Sequence, residues 1–223
     1  MTILSVYAHN EPKSLTAKFK NVALGELSRQ GHTVLESDLY ASGFSPKAEK
    51  FDFTTLSANH FNYMLEQKNT SANNLLFAPD IMSEIQKVAS ADLIIFHTPI
   101  WWSGVPAILK GWFDRVLGMG VTWDAGKIYE KGLLRGKSVM LCGIAGFPQD
   151  YYSKDGPHKA TMNEMLHPIL HGTFAFCGMD VIEPFIVYNS MGLSPEQTEK
   201  YTSEYHFKVN HLADSPAYLT KFD

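Results

Sequence analysis

Two hydrophobic rhythms alternate along the chain. Short, almost unbroken apolar runs occur at 2–8 ("TILSVYA"), 92–98 ("DLIIFHT"), 137–144 ("KSVMLCGI") and 179–188 ("MDVIEPFIVY"). Their length and their β-branched and aromatic residues read as buried strands, and "HTVLESDLY" (32–40) reads as another. Between the runs, apolar residues recur every three or four positions. Leu15, Phe19, Val22, Ala23 and Leu27 mark one face of a helix that Ser14 caps and Gly31 stops. Further helices are predicted over 78–91, with Pro79 in the first turn, and over 105–117. A longer one runs to about residue 176 with a break near Pro168, and a last one starts at the capping box of Ser194, Pro195 and Gln197. Residues 41–78 show neither rhythm and are expected to form an irregular surface excursion.

Strands without a polar face, separated by amphipathic helices, imply a parallel sheet covered on both sides. The expected fold is α/β and flavodoxin-like: one domain over 1–223, five parallel strands in the order 2-1-3-4-5, helices on both faces and a short C-terminal tail. In such sheets a ligand lies beyond the carboxyl ends of the strands where the winding reverses, here between strands 1 and 3. The loops at 9–14, 99–104 and 144–152 should meet there.

Composition narrows the choice of partner. The chain has 223 residues, 45% of them hydrophobic, and a net charge of −4. It lacks the basic footprint that nucleic acid requires. Its two cysteines, Cys142 and Cys177, are too few for a disulfide framework and suit a reducing, cytoplasmic setting. The chain opens directly on a strand with no secretory pattern, and no apolar run is long enough to span a membrane, so no membrane insertion is expected.

The three loops carry different chemistry. "AHNEPKS" has neither glycine fingerprint of the common nucleotide folds, but it sets His9, Asn10, Lys13 and Ser14 before a helix N-terminus, a phosphate-binding arrangement or simply a capped polar turn. "TPIWWSGV" offers Trp101 and Trp102 as a flat wall, with Ser103 and Gly104 allowing close backbone approach. Core packing of both indoles is disfavoured, since neighbouring residues of an extended loop point in opposite directions. "GIAGFPQDYYSKDGPHKAT" holds Gly143, Gly146, Tyr151, Tyr152 and His158, either surface turn residues or groups that donate to a ring gaining negative charge. His167 and His171 are one helical turn apart without an evident third ligand.

"YAHNEPKS", "SRQGHTVLESDLYASGFSP", "ADLIIFHTPIWWSGVPAILKGWFDRV" and "FAFCGMDVIEPF" together resemble the NAD(P)H:quinone oxidoreductases of the DT-diaphorase type. The likeness runs from residue 2 to about 210, and is greatest toward the shorter, dihydronicotinamide-riboside branch. It implies a homodimer holding FAD, rather than FMN, non-covalently at each of two sites at the subunit interface. NAD(P)H would reduce the flavin at N5 and a quinone would reoxidise it by two electrons in a ping-pong scheme.

Carried over by position, the resemblance assigns His9, Ser14, Leu15 and Thr16 to the pyrophosphate and Asn62 to the region of the adenosine. Pro99, Ile100, Trp101 and Trp102 would run along the isoalloxazine. Ile144, Ala145, Gly146 and Phe147 replace a Thr-Thr-Gly-Gly run whose amides face the flavin, and only Gly146 is retained. Tyr152 and His158 take the charge-stabilising positions. Trp102, Ser103, Trp123, Ile128 and Phe176 would shape the quinone cavity, some of them from the partner chain. Histidine at 158, where the riboside branch has asparagine, implies ordinary NADH or NADPH as donor. Ala175, where that branch has a second metal-binding histidine, implies no metal. The competing readings are an azo- or nitroreductase on the same fold and a flavin-binding regulatory subunit of an ion-efflux system.

Overall fold

The computed structural model describes residues 1–57, 60–73, 76–212 and 215. Strand β1 (Thr2–Tyr7) leads into helix α1 (Leu15–Arg29) and then β2 (Thr33–Asp38). Helices α2 (Tyr63–Ala72) and α3 (Pro79–Ser90) precede β3 (Leu93–Ile100), which is followed by α4 (Ala107–Val116) and β4 (Ser138–Ala145). Helix α5 (Met162–Ile169), the short strands β5 (Asp180–Val181) and β6 (Phe185–Val187) and helix α6 (Pro195–Asn210) complete the order.

The sheet is parallel and ordered β2-β1-β3-β4-β5, with β6 also pairing β4. The expected fifth strand is thus two short ones on the same rail. Ile182 still donates to Val139 O at 2.8 Å, but Pro184 has no N–H to continue the ladder, so pairing resumes only at Phe185.

Strand alternation sorts the core into two layers. Ile3, Leu93, Ile95, Met140 and Cys142 point to the side covered by Phe19, Ala23 and Leu27 of α1 and Tyr205 and Val209 of α6. Leu4, Val6, Ile94, Phe96, Val139 and Leu141 point to the other, against Val88 of α3, Leu109 and Trp112 of α4 and Leu166 of α5. Both faces are dry, which is why the strands read as unbroken apolar runs. Among the polar groups sealed in is His97, whose Nδ1 lies 3.2 Å from Ser5 Oγ and whose Nε2 lies 2.8 Å from Tyr205 Oη. Burial, with a smaller push from Lys20, lowers its pKa to about 3, so it sits neutral in the core.

Residues 41–78 are not irregular throughout. They contain α2, capped by Asn62, whose Oδ1 accepts from Leu65 N at 3.2 Å. Its inward face is polar: Glu66, Gln67 and Thr70 are buried, Glu66 accepting from Ser57 and Gln67 donating to Asp114 O. Hydrogen bonds in place of apolar side chains left no hydrophobic period to detect. A buried Asp52–Arg115 pair, with Asp80 and Ser45 O also on the guanidinium, ties this segment to α3 and α4. The expected C-terminal tail lies largely outside the described residues.

The break at Pro168 takes a specific form. Helix α5 passes into a wider turn over Leu170–Ala175, in which Phe176 N reaches back five residues to His171 O at 3.0 Å.

Candidate functional site

All the strands deliver their loops to one edge of the sheet, and a crevice of about 700 Å³ opens there between β1 and β3. Its walls come from the three expected loops and from Ser190 and Met191, a fourth loop that the sequence reading passed over. The available signal was positional: a loop at the carboxyl end of the last strand opens on the same edge as the other three. Ser190 and Met191 donate to the carbonyls of Ala145 and Gly146, at 3.0 and 3.5 Å, so this loop is laced to the tip of β4.

At the first loop, Ser14 caps α1, its Oγ accepting from Ala17 N at 3.1 Å and lying 3.2 Å from Tyr7 Oη. The first intrahelical carbonyl, Ser14 O, is taken by Lys18 N. The amides of Leu15 and Thr16, ahead of it, have no carbonyl within the helix to bond, and both residues line the crevice. The helix dipole adds to their pull on an anion. Glu11 N donates to His9 Nδ1 at 2.9 Å, and burial lowers the His9 pKa, so the neutral ring keeps its proton on Nε2 as a donor.

The tryptophan segment forms a tight turn rather than the extended loop expected. Trp101 and Gly104 exchange both backbone hydrogen bonds at 3.0 Å, and the two residues between them, Trp102 and Ser103, have φ of +51° and +58°. Those dihedrals suit glycine or asparagine, and a bulky residue there is strained. Trp102 is nonetheless fully exposed and Trp101 partly so. Strain and bare indole together are the marks of a surface shaped for a ligand.

The third loop stacks its aromatic groups. Tyr152 and His158 rings lie 4.8 Å apart with planes 29° from parallel. Burial pushes the Tyr152 pKa up, against a backbone hydrogen bond from Phe147, so it remains a phenol well past neutrality. His158 Nε2 is buried without a hydrogen-bond partner among the described residues, and the residue faces the crevice. An unmet polar atom at this position is a place for a ligand group.

The crevice gathers His9, Leu15, Thr16, Pro99, Ile100, Trp101, Trp102, Ser103, Ile144, Gly146, Phe147, Tyr152 and His158 from the expected residues. Ser14 stands behind it as a cap, Ala145 is sealed in β4, and Asn62 caps α2. Trp123 and Phe176 lie apart from it, their rings 5.3 Å from one another, and border a second hollow of about 370 Å³ with Tyr63 and Met64. Ile128 precedes the short turn at Tyr129–Lys131 on that same side, where Tyr129 packs on Phe176.

A family profile described as "flavodoxin-like fold" matches residues 1–209. Ribosyldihydronicotinamide dehydrogenase (quinone) of Homo sapiens is 45% identical over 188 residues, covering 83% of this chain and 80% of that protein. NAD(P)H dehydrogenase (quinone) 1 of Rattus norvegicus is 40% identical over 194 residues, covering 86% of this chain and 70% of that protein. The chain belongs to the NAD(P)H:quinone oxidoreductase family. A crystal structure of a putative quinone reductase from Klebsiella pneumoniae superposes with a TM-score of 0.92 at 31% identity, covering 97% of this chain and 86% of that one. Membership of the quinone oxidoreductase family fits the polar edge and aromatic wall of the crevice, and no described helix is long and apolar enough to cross a membrane.

Proposed function

We propose that this chain is an FAD-dependent two-electron quinone reductase with NAD(P)H as donor, working in the cytoplasm as a single-domain subunit of a homodimer. The observation that carries the reading is the crevice itself. It joins the N-terminal amides of α1 at one end, an exposed indole turn along its wall and, at the other, an imidazole whose buried Nε2 has no hydrogen-bond partner among the described residues, stacked on a half-buried phenol.

Those groups fit an anionic, planar cofactor. Leu15 and Thr16 amides and His9 Nε2 would hold the pyrophosphate, Trp101 and Trp102 the ring face, and the β4 tip at 144–147 the polar ring edge. Bound there, FAD supplies hydride chemistry in ping-pong exchange between the nicotinamide donor and the quinone. The protein's part is donation and exclusion of water. Tyr152, kept protonated by burial, and His158 present donors where negative charge collects on reduction. A pair so placed would stabilise the negative charge that two-electron reduction leaves on the bound ring.

Trp123, Ile128 and Phe176 support the dimer. In one chain they do not border the crevice; Trp123 and Phe176 pack together beside an adjoining hollow, and Ile128 immediately precedes Tyr129, whose ring meets Phe176. A second copy would bring its group over the first copy's crevice and roof the quinone site.

The test is direct. Purified protein should show a flavin absorbance spectrum, release FAD on denaturation, and reduce menadione with NADH faster than it reduces azo dyes. Colourless protein that takes up neither FAD nor FMN removes this reading; azo rates equal to quinone rates move it to the azoreductase alternative.

A further inference from the structure

Phe147 occupies the position where the family run has its second glycine, and a backbone role there needs no ring. The ring is fixed in place all the same. It stacks on Tyr151 with centroids 5.2 Å apart and planes 5° from parallel, and His158 meets it edge-on at 5.7 Å and 61°. Pro148 fixes the backbone between them, and the short turn Gln149–Tyr151 carries Tyr151 underneath. Phe147 is still 45% exposed. One face is covered by Tyr151 and an edge by His158, so the exposed area belongs to the opposite face of a residue that lines the crevice. An apolar ring braced from behind and bare in front is a stacking shelf, with its ordering cost already met by the protein's own loop.

We propose that the Phe147–Tyr151 pair is a specificity-determining subsite that stacks a planar ring carried by the substrate in addition to the ring that reacts. That ring is either the purine of a dinucleotide donor or the outer fused ring of a polycyclic quinone. The inference rests on the quinone-reductase reading for the identity of the substrates. Neither shelf residue is charged, so the shelf itself sorts ligands by aromatic surface.

The experiment uses the flavin-loaded protein and two variants: Phe147→Leu, which keeps apolar bulk without a ring, and Phe147→Tyr, which keeps the ring. KM and kcat are measured for NADH against dihydronicotinamide riboside, and for menadione against p-benzoquinone. In Phe147→Leu the KM advantage of the larger member shrinks by about 3- to 10-fold in one pair, as the loss of an aromatic contact requires. Phe147→Tyr restores it. A change in the donor pair assigns the purine, and a change in the acceptor pair assigns the fused ring. Equal changes in both members of both pairs, or none, overturn the proposal. Calorimetric Kd values for NAD⁺ and nicotinamide mononucleotide on the same variants read the purine arm without turnover. Tyr151→Leu, which removes the brace and spares the shelf residue, should move the affected ratio in the same direction. Absence of any NADH oxidation by the unaltered chain counts against the enzymatic reading alone, since those Kd ratios, with Kd values for menadione against p-benzoquinone on the same variants, still answer for both arms of the shelf.

Discussion

At the scale of single residues, Trp102 concentrates the argument. With φ of +51° and its side chain in solvent, it is unfavourable in the empty protein on both counts. Glycine is indifferent to that dihedral, so Trp102→Gly should stabilise the flavin-free fold by about 1 kcal/mol while weakening flavin binding. A thermal melt and a flavin titration on the same preparation check the two signs, and a variant that loses both stability and affinity would contradict the account. His158 makes the complementary case. Replacing it by alanine removes a donor and leaves the indole wall intact. Flavin should stay bound while its reduction by NADH, followed by stopped flow, slows by roughly 10²-fold or more. Tyr152 and His158 could be named from the sequence, whereas the unmet Nε2 could not, because burial of one imidazole nitrogen is a property of the folded loop.

At the scale of elements, the excursion over 41–78 shows why a segment without hydrophobic rhythm can still be built into a fold. Helix α2 turns Glu66, Gln67 and Thr70 inward, and the segment before it is held by the bidentate Asp52–Arg115 pair, with contacts of 2.9 and 3.1 Å and both side chains buried. Removing one member leaves a buried charge without its counter-ion. Arg115→Met should therefore lower the stability by about 3–5 kcal/mol, and adding Asp52→Asn should recover part of the loss. Urea midpoints of the single and double variants measure both, and additive losses would exclude the pair as the cause. Glycine at 111 in α4 belongs to the same junction: a Cβ there would come within 2.2 Å of Pro46 O, so the helix can lie against this segment only without a side chain.

For the whole molecule, the position of His97 sets an acid limit. It lies where the sheet meets α6 and is neutral when folded, with a pKa near 3, but near 6.5 when unfolded. Below pH 6.5 the unfolded chain binds a proton that the folded one refuses, so stability falls as pH drops from about 6.5 toward 3. At pH 5 this single group contributes a loss of about 2 kcal/mol. Urea midpoints at pH 7.5 and 5.0 should show the decline, and His97→Asn, weaker at pH 7.5, should decline less between the two. Assembly is the other property of this scale. The chain is expected to sediment at twice its 25.0 kDa, and Phe176→Asp, far from its own crevice, should yield monomer with impaired quinone turnover. Monomeric protein with full activity would exclude a roof supplied by a second copy.

The chain alone determined the alternation of strands and helices, the two-sided burial of the central strands and the helix caps, because these are local patterns that survive without tertiary context. The strand order came from assigning the flavodoxin-like version of the doubly wound fold, since another order shares the same pattern. The chain also named most of the crevice wall, through motifs whose residues are consecutive in it. Only the tertiary structure decided the division of the last strand at Pro184, the polar inner face of α2, the tight turn that exposes Trp102, the entry of Met191 and the shelf formed by Phe147 on Tyr151. Each of these depends on which groups meet across the fold, and a polar residue reads the same in the chain whether it finds a buried partner or water.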